Sequence, residues 1–464
     1  MKKPELTRID IPVDPVFALF NAGELKAAKE LALVCLKTQP NNVELINTLA
    51  GCHFHLQEYQ DALKCIELLV HKAKLDNPGL LTNYAKVLYY LRRAPEAVEI
   101  MRKIFERSPN TEIGLDYSLY LNAIGEFKKS HEIMMSLDLS NSEHQNIVDF
   151  NLGWYLIRNG EFLEGFRHLE MGNKLRVWGS EATLNLPKEK RLQNKEQVKD
   201  KVILMACEGG QGDEIIFARF VQTLKQLGAK KVIISCSPHL TSIFSRLVGV
   251  DESISQKDVH TVSYDFYVPA MSSVPLLEIT DAKTGIKFPY LSASKAEVDN
   301  ARKHVEDIIG SDAHLWPRIA LRWQGNQEFE HDQFRSVPFQ KLLKFGEFGH
   351  LFSVQRDSGL DEIKHDDPVI TLHEELKTWE NTLGYLANMD YVVTSCTSIA
   401  HAAAAMGRTV CLLAPLVPYF TWAQDGTDSD WYPTIKVFKQ TKYNSWDEPI
   451  EACHNWIKEQ TNEA

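Results

Sequence analysis

A glycine-rich turn between an apolar strand and a helix holds the first candidate catalytic residues. The run 202–206 (VILMA) is of strand length, and a helical pattern follows from residue 215. The turn comprises Glu208, Gly209, Gly210, Gln211 and Gly212, followed by Asp213 and Glu214. Glycines allow a ligand to approach the backbone, and a helix start offers free N–H groups. Asp213 or Glu214 could act as a general base there, although a carboxylate at a helix start is also simply stabilising.

A second transition from strand to helix carries small hydroxyl side chains. Its residues are Thr394, Ser395, Cys396, Thr397, Ser398 and His401. Thr397 or Ser398 is a natural N-cap, and such a helix start suits a diphosphate group. An ordinary capped helix with a core histidine at position 401 explains the same residues. A third loop of this kind, Gly325-Asn326, follows the apolar run 318–323, so we expect three such loops on one rim of a cleft.

Binding of a diphosphate requires a cation, and the third loop offers two arginines. Arg322 and Arg335 are the candidates, with His331 between them. Arg335 precedes a helix start at residues 336–338, where a guanidinium could bind a phosphate in a bidentate way; a solvated arginine fits the sequence equally well. The acidic triplet 428–430 (DSD) formally matches a metal-binding motif, but no strand precedes it, so we interpret the match as chance. Phosphate-loop, HExxH and GxGxxG motifs do not occur around these loops.

Strands alternate with helices from residue 201 onward, which predicts parallel sheets with right-handed crossovers. The pattern restarts after residue 294, so we predict two α/β domains, 201–293 and 294–464. Ligands of such domains bind at the carboxyl ends of the strands.

Residues 1–170 carry an internal repeat. Small residues recur at the helical turns, at positions 28, 62, 97, 130 and 165, which is close to the tetratricopeptide (TPR) period of about 34 residues. We predict an α-solenoid whose concave face binds a peptide or protein. The residues Tyr89, Tyr90, Tyr117 and Tyr120 either lie on that face or pack between helices. Residues 171–200 are predicted to be a linker that packs on the next domain through Leu175, Val177 and Trp178.

The composition narrows the class of protein. A formal net charge of −11 argues against a nucleic-acid-binding surface as the main function. No apolar run is long enough to span a membrane, and residues 1–10 lack the apolar core of a signal peptide. The eight cysteines are scattered, as expected of reduced thiols in a cytoplasmic protein.

Together these residues resemble the bacterial TPR glycosyltransferases, whose catalytic part is similar to the heptosyltransferases and has the GT-B fold. The matching stretches are Glu208-x-Gly210-x-Gly212-Asp213 with Phe217-Ala218-Arg219, Trp323-x-Gly325-Asn326 with Arg335-Ser336-x-Pro338, Thr397-Ser398-x-Ala400-His401, and Trp431-Tyr432-Pro433 with Val437-Phe438-Lys439-Gln440. The layout also resembles O-GlcNAc transferase and the flagellin glycosyltransferases. The resemblance implies a TPR α-solenoid followed by a GT-B-like pair of Rossmann-type α/β domains, that is, an α + α/β protein.

The resemblance further implies a metal-independent, inverting transferase that uses a nucleotide-sugar donor. Asp213 corresponds to the base of the family, and residues 208–212 form the acceptor-side loop. The implied donor-binding residues are Trp323, Gly325, Asn326, Arg335, Cys396, Thr397, Ser398 and His401. Heptosyltransferases usually carry Asp where this chain has Cys396, so the resemblance does not extend to a heptose donor.

Three functions fit this sequence. We expect a protein O-glycosyltransferase whose TPR domain docks the acceptor, with flagellin or another surface protein as substrate. The first alternative is a transferase that acts on lipopolysaccharide or another glycan. The second is a non-catalytic TPR scaffold with a degenerate GT-B domain, and Cys396 is the residue that favours it.

Overall fold

The computed structural model describes residues 12–177, 185–310, 315–327, 332–356 and 358–463, without the side chains of Ser142, Gln333 and Glu463. The chain divides into two compact units, Met1–Asn141 and Ser142–Ala464. Trp178 and His331, for which the sequence suggested roles, lie outside the described residues. No helix in these ranges is long and apolar enough to cross a membrane.

The first unit consists of helical hairpins. Its described α-helices are α1 Asp14–Asn21, α2 Leu25–Thr38, α3 Val43–His55, α4 Tyr59–Glu67, α5 Pro78–Tyr90, α6 Ala94–Arg107, α7 Thr111–Ala123 and α8 Phe127–Met135. Each helix packs against its neighbours in sequence. Asn42, Asn77 and Asn110 accept a hydrogen bond from the third residue of the following helix, which satisfies a free N–H group at each start.

The small residues of the repeat lie where paired helices meet. Ala28, Ala62 and Ala97 are fully buried, and the Ser130 hydroxyl donates to the carbonyl of Ser118 (2.8 Å). One residue of positive φ also occurs in each hairpin turn, at Gly23, Gln57, Arg92, Gly125 and Gly160. The predicted TPR-like hairpins are therefore confirmed.

The repeat tyrosines pack mainly between helices. Tyr89, Tyr117 and Tyr120 are buried, and Tyr90 stacks on Tyr59 with ring centroids 5.0 Å apart. The structure therefore favours the packing interpretation of these side chains over an exposed binding face.

The second unit begins with a further hairpin and continues into two parallel sheets. Its helices are α9 Ser142–Arg158, α10 Phe162–Leu169, α11 Met171–Leu175, α12 Gln211–Ala218, α13 Val221–Gln226, α14 Thr241–Phe244, α15 Ser273–Leu276, α16 Lys295–Ile309, α17 Asp332–Arg335, α18 Phe339–Leu342, α19 Trp379–Ala387, α20 Ser398–Ala405 and α21 Asp447–Glu463. Its strands are β1 Val202–Ala206, β2 Lys231–Cys236, β3 Glu252–Ser255, β4 Phe266–Pro269, β5 Arg318–Arg322, β6 His350–Ser353, β7 Ile370–Thr371, β8 Tyr391–Ser395, β9 Thr409–Ala414 and β10 Ile435–Lys439.

The four-stranded sheet has the order β3-β2-β1-β4, and the six-stranded sheet has the order β10-β9-β8-β5-β6-β7. All their ladders are parallel. The predicted parallel α/β architecture is confirmed. Because β1 and β8 are inner strands, the loops that follow them lie near the middle of each sheet rather than at an edge.

The two helices of the hairpin α9–α10 pack closely against each other and against the α/β region. A Cβ atom on Gly153 would lie 2.7 Å from the carbonyl oxygen of Gly165, so only glycine permits this approach. Phe166 is fully buried, with its ring centroid 5.9 Å from that of Phe217 and 5.5 Å from that of Phe420. This last hairpin therefore shares its core with the α/β region.

Candidate functional site

Two helix starts, one from each sheet, meet in the second unit. α12 follows β1 and has Gly210 as its N-cap, and α20 follows β8 and has Thr397 as its N-cap. A Cβ atom on Gly212 would lie 3.4 Å from Cδ2 of His401 and 3.6 Å from Cα of Ser398. The first two predicted loops are thus in contact, and two sets of helix-start N–H groups lie close together.

Asp213 accepts hydrogen bonds on both carboxylate oxygens. Oδ2 accepts from the backbone N–H of Gly210 (2.9 Å), and Oδ1 accepts from the hydroxyl of Tyr419 (2.7 Å). Burial raises the pKa of Asp213, while the bonds from Tyr419 and Gly210 and the charge of Arg335 act in the opposite direction. The carboxylate is therefore fixed in orientation, and opposing effects act on its pKa.

Tyr419 was missed by the sequence analysis. It lies in the loop after β9, and its ring packs against Trp154 of α9, with centroids 5.4 Å apart. Arg158 of α9 donates to the carbonyl of Pro418 (3.2 Å) in the same loop. The aromatic run Tyr419-Phe420-Thr421-Trp422 was the signal available in the sequence, but nothing in it indicates a bond to a residue 206 positions earlier.

The other two carboxylates of the first loop point into the protein. Glu214 is 2% exposed, and its Oε2 accepts from the backbone N–H of Ser237 (2.8 Å). Glu208 is 1% exposed, and its Oε1 accepts from the N–H of Met271 (3.2 Å). Burial raises the pKa of each to about 7. These contacts hold the loop and leave Asp213 as the more accessible carboxylate.

Arg335 connects the loop at residues 325–326 with the loop at residues 394–398. Its Nε donates to Oδ1 of Asp332 (2.8 Å), and its Nη1 donates to the carbonyl of Cys396 (2.8 Å). Asp332 is 2% exposed and was not identified from the sequence. A Cβ atom on Gly325 would lie only 2.3 Å from Nη2 of Arg335, so glycine is needed for the guanidinium to occupy this place. Three predicted positions, 325, 335 and 396, therefore meet at one point.

Several predicted site residues support the loops instead of facing open space. Trp323 is fully buried, with its ring 4.4 Å from that of Phe339 and its Nε1 donating to Glu362 (3.2 Å). Arg322 is 8% exposed and donates to the carbonyl of Val354 (3.2 Å). Trp323 is thus placed to hold its loop, as is Gln211, whose Oε1 accepts from Nε1 of Trp379 (3.0 Å). Asn326 is exposed beside this region.

Cys396 and His401 share one aromatic partner. Nε1 of Trp422 donates to Sγ of Cys396 (3.1 Å), and the Trp422 ring stacks on His401 with centroids 4.9 Å apart. Burial, reinforced by the charges of Arg219 and Arg335, lowers the pKa of His401 to about 3, so this imidazole is neutral near pH 7. Burial raises the pKa of the Cys396 thiol. The thiol is therefore a packed, protonated group.

The hydroxyl of Thr397 does not cap α20. Thr397 is the N-cap by backbone conformation, but its side chain makes no capping hydrogen bond and its Oγ1 lies 3.2 Å from Oγ1 of Thr394. Thr397 is thus the N-cap residue, as predicted, but the expected hydrogen bond between its side chain and the helix start is not formed. The hydroxyl pairs with the preceding strand, so the N–H groups at the start of α20 are not capped by it.

Arg219 connects two of the short motifs of the sequence, residues 217–219 and residues 431–433. It is fully buried and donates to the carbonyl of Trp431 (2.5 Å) and to the hydroxyl of Tyr290 (3.2 Å). Its guanidinium lies 4.2 Å from the ring centroid of Tyr432, a cation–π distance. The Tyr432 hydroxyl in turn lies 3.2 Å from Nδ1 of His401. Residues 217–219 and 431–433 are thus joined beneath the site.

Among the described residues, no group of three or more His, Cys, Asp or Glu side chains could hold a metal ion. Asp428, from the acidic triplet, pairs with Lys436.

No protein-family model and no curated protein matches this chain. Solved structures with detectable similarity include YrrB, described as a TPR protein with an unusual peptide-binding site, with a TM-score of 0.32 and 16% identity over 37% of this chain and 89% of that one. MamA is similar with a TM-score of 0.31 and 17% identity over 36% of this chain and 99% of that one. Because both TM-scores are below 0.5, the assignment of the helical repeat rests on the helices, caps and buried small residues of this chain itself.

Proposed function

We propose that the second unit is a GT-B-like glycosyltransferase that moves a sugar from a nucleotide-activated donor to a Ser or Thr hydroxyl of a protein. The observation that carries this proposal is the meeting of two helix starts from separate parallel sheets, with Asp213 on one and Arg335 beside the other. A base and an anion-binding group on facing loops are what transfer from a diphosphate donor requires.

The donor diphosphate is assigned to the start of α20 and to Arg335. Arg335 is oriented by Asp332 and by the carbonyl of Cys396, so its position is set before a ligand arrives. Such preorganisation stabilises charge as it develops on a leaving group. The guanidinium and the helix-start N–H groups would supply this stabilisation, in keeping with the metal-independent chemistry that the family resemblance implies.

Asp213 is assigned as the base. One oxygen of its carboxylate takes the proton of the acceptor hydroxyl, whose oxygen then forms a bond to the anomeric carbon of the sugar. The bond between that carbon and the diphosphate oxygen breaks on the opposite face, and the nucleotide leaves with the electron pair. The configuration at the anomeric carbon is thereby inverted. The hydrogen bond from Tyr419 favours the ionised carboxylate that this step needs.

The donor sugar is not proposed to be heptose. The family carries Asp at the position of Cys396, and here that side chain accepts a hydrogen bond from Trp422 and is 7% exposed. A buried thiol cannot replace a carboxylate as an acceptor for sugar hydroxyls. The helical repeats are proposed to present the acceptor, with flagellin or another surface protein as the candidate.

A non-catalytic scaffold is the second candidate, and Cys396 is the observation that favours it. The two possibilities differ in turnover. We expect Asp213→Asn to lower the rate of sugar transfer at least a hundredfold. The melting temperature should stay within a few degrees of that of the unmodified chain. Glu214→Gln is the matched control, because its buried side chain keeps an acceptor for the N–H of Ser237.

Sugar transfer is measured by mass spectrometry of the acceptor, and nucleotide release is measured in parallel. Full turnover in Asp213→Asn would remove this residue as the base. Donor binding without turnover in the unmodified chain, even with acceptor present, would establish the scaffold.

A further inference from the structure

The first unit contains a cavity of about 610 Å³ along the starts of three helices from successive hairpins. These helices are α3, α5 and α7, the first helices of their hairpins. Leu69, Leu80 and Ile113 contribute buried apolar surface to its lining. The groove therefore has an apolar floor that runs across consecutive repeats.

The charged side chains that line this groove are all negative. The charged residues among its described lining are Glu44, Glu112 and Asp116, and no described Lys, Arg or His side chain lines it. Glu44 and Glu112 are exposed, and Asp116 is half-buried. Within the described part of the first unit, the three carboxylates make no hydrogen bond or ion pair with another side chain, unlike Glu58 and Glu96, which form ion pairs.

Two asparagines stand among these carboxylates. Asn47 and Asn83 are exposed and line the cavity, and each side chain offers both donors and an acceptor. Asn77 and Asn110 also line it, but their oxygens are used to cap helix starts. Asn47 and Asn83 are consequently suited to the N–H and C=O groups of an extended main chain.

We propose that this groove, lined by residues 43–116, binds an extended polypeptide segment that carries Lys or Arg side chains. Three unpaired carboxylates attract cations, and the asparagines hold a main chain in a way that does not depend on its sequence. A segment of alternating small and basic residues fits this description.

The inference rests on the proposed function only in one respect, namely that the bound segment belongs to the acceptor. In that case, the Ser or Thr that receives the sugar lies in a sequence that contains basic residues. Binding to the groove is measured without any donor, so its outcome is independent of sugar transfer.

The test uses the full chain and three fluorescein-labelled octapeptides, (Ser-Lys)4, (Ser-Gln)4 and (Ser-Glu)4, in fluorescence anisotropy titrations. We expect (Ser-Lys)4 to bind at least tenfold more tightly than (Ser-Gln)4, with no measurable binding of (Ser-Glu)4. The double variant Glu112→Gln/Asp116→Asn should weaken (Ser-Lys)4 at least fivefold, and added salt should weaken it as well.

The matched control removes the same charge elsewhere in the unit. Glu30 and Glu132 are exposed on α2 and α8 and do not line the cavity. The control Glu30→Gln/Glu132→Gln should change the affinity less than twofold.

Equal weakening by both double variants would mean that the peptide responds to net charge alone and would overturn the proposal. Equal binding of the three peptides, or no binding of any, would also overturn it. Peptide binding without sugar transfer would leave the groove assigned and count against the proposed enzyme.

Discussion

Opposing effects act on the carboxyl group of Asp213. Burial favours the protonated form, which is unsuitable for a base, whereas the hydrogen bonds from Tyr419 and from the N–H of Gly210 favour the ionised form. A hydrogen bond to a charged group contributes about 1.5–3 kcal/mol, or about one to two pH units. The hydrogen bond from Tyr419 therefore lowers the pKa of Asp213 and partly offsets the effect of burial.

Replacing Tyr419 by Phe tests this role at the residue scale. The ring contact with Trp154 is kept, while the donor to Oδ1 of Asp213 is lost. Because this donor stabilises the ionised carboxylate, its loss raises the pKa of Asp213. We expect the ascending limb of the kcat/KM profile against pH to move to higher pH by about one unit.

Tyr385→Phe is the control for that profile, since its hydroxyl is bonded to His304 instead (2.6 Å). The control profile should match that of the unmodified chain. An ascending limb that stays in place in Tyr419→Phe would show that this tyrosine does not set the protonation of Asp213.

At this scale the sequence predicted the meeting of loops better than the orientation of side chains. Asp213, Arg335 and Cys396 follow from turn chemistry at the ends of strands, and the structure brings them together. Tyr419 and Asp332 were missed because their roles depend on contacts that no local pattern encodes. Trp323 was placed in the donor site by the family resemblance, yet its ring completes the core next to Phe339.

At the scale of elements, the hairpin α9–α10 belongs by packing to the α/β unit. The repeat pattern continues through residue 170, whereas the compact units divide after Asn141. Phe162 and Phe166 pack against Trp431, with ring centroids 5.5 and 6.3 Å apart, and Trp154 packs against Phe420 at 5.4 Å. The hairpin thus covers an aromatic part of the core and also fixes the loop that carries Tyr419.

A comparison of two truncated chains tests this packing. Residues 142–464 retain the hairpin, and we expect this chain to melt in one cooperative transition. Residues 171–464 lose the burial of Trp154, Phe162, Phe166 and their neighbours, on the order of 10 kcal/mol, which is comparable to the whole stability of a domain. We expect that chain to bind a hydrophobic dye and to lack a cooperative transition by circular dichroism. Equal melting temperatures would contradict the assignment of this hairpin.

The elements that were predicted are those with strong local signals. Strands β1, β2, β8 and β9 are buried apolar runs, and such runs are readable without tertiary information. Strands β3 and β7 lack this signal, because they are short and lie at sheet edges, with half-buried or exposed residues. β10 was noticed only as a motif, since its pairing with β9 depends on the fold.

At the scale of the whole second unit, one apolar core runs through both sheets. It includes Phe217 after β1, Ala403 after β8 and Tyr432 near the end of the chain. Arg219 adds polar contacts across this core through the carbonyl of Trp431. The two helix starts are therefore held together by continuous packing.

The central claim, a nucleotide-sugar site at this junction, is tested most directly by thermal shift with UDP-, GDP-, ADP- and CMP-linked sugars. Binding to the native state alone raises the melting temperature, by about 4 °C at a hundredfold excess over Kd. We predict a shift for one nucleotide class that is lost in Arg335→Gln and kept in Arg302→Gln, a change on the exposed face of α16. No shift with any of the four classes, or an equal shift in Arg335→Gln, would contradict the account.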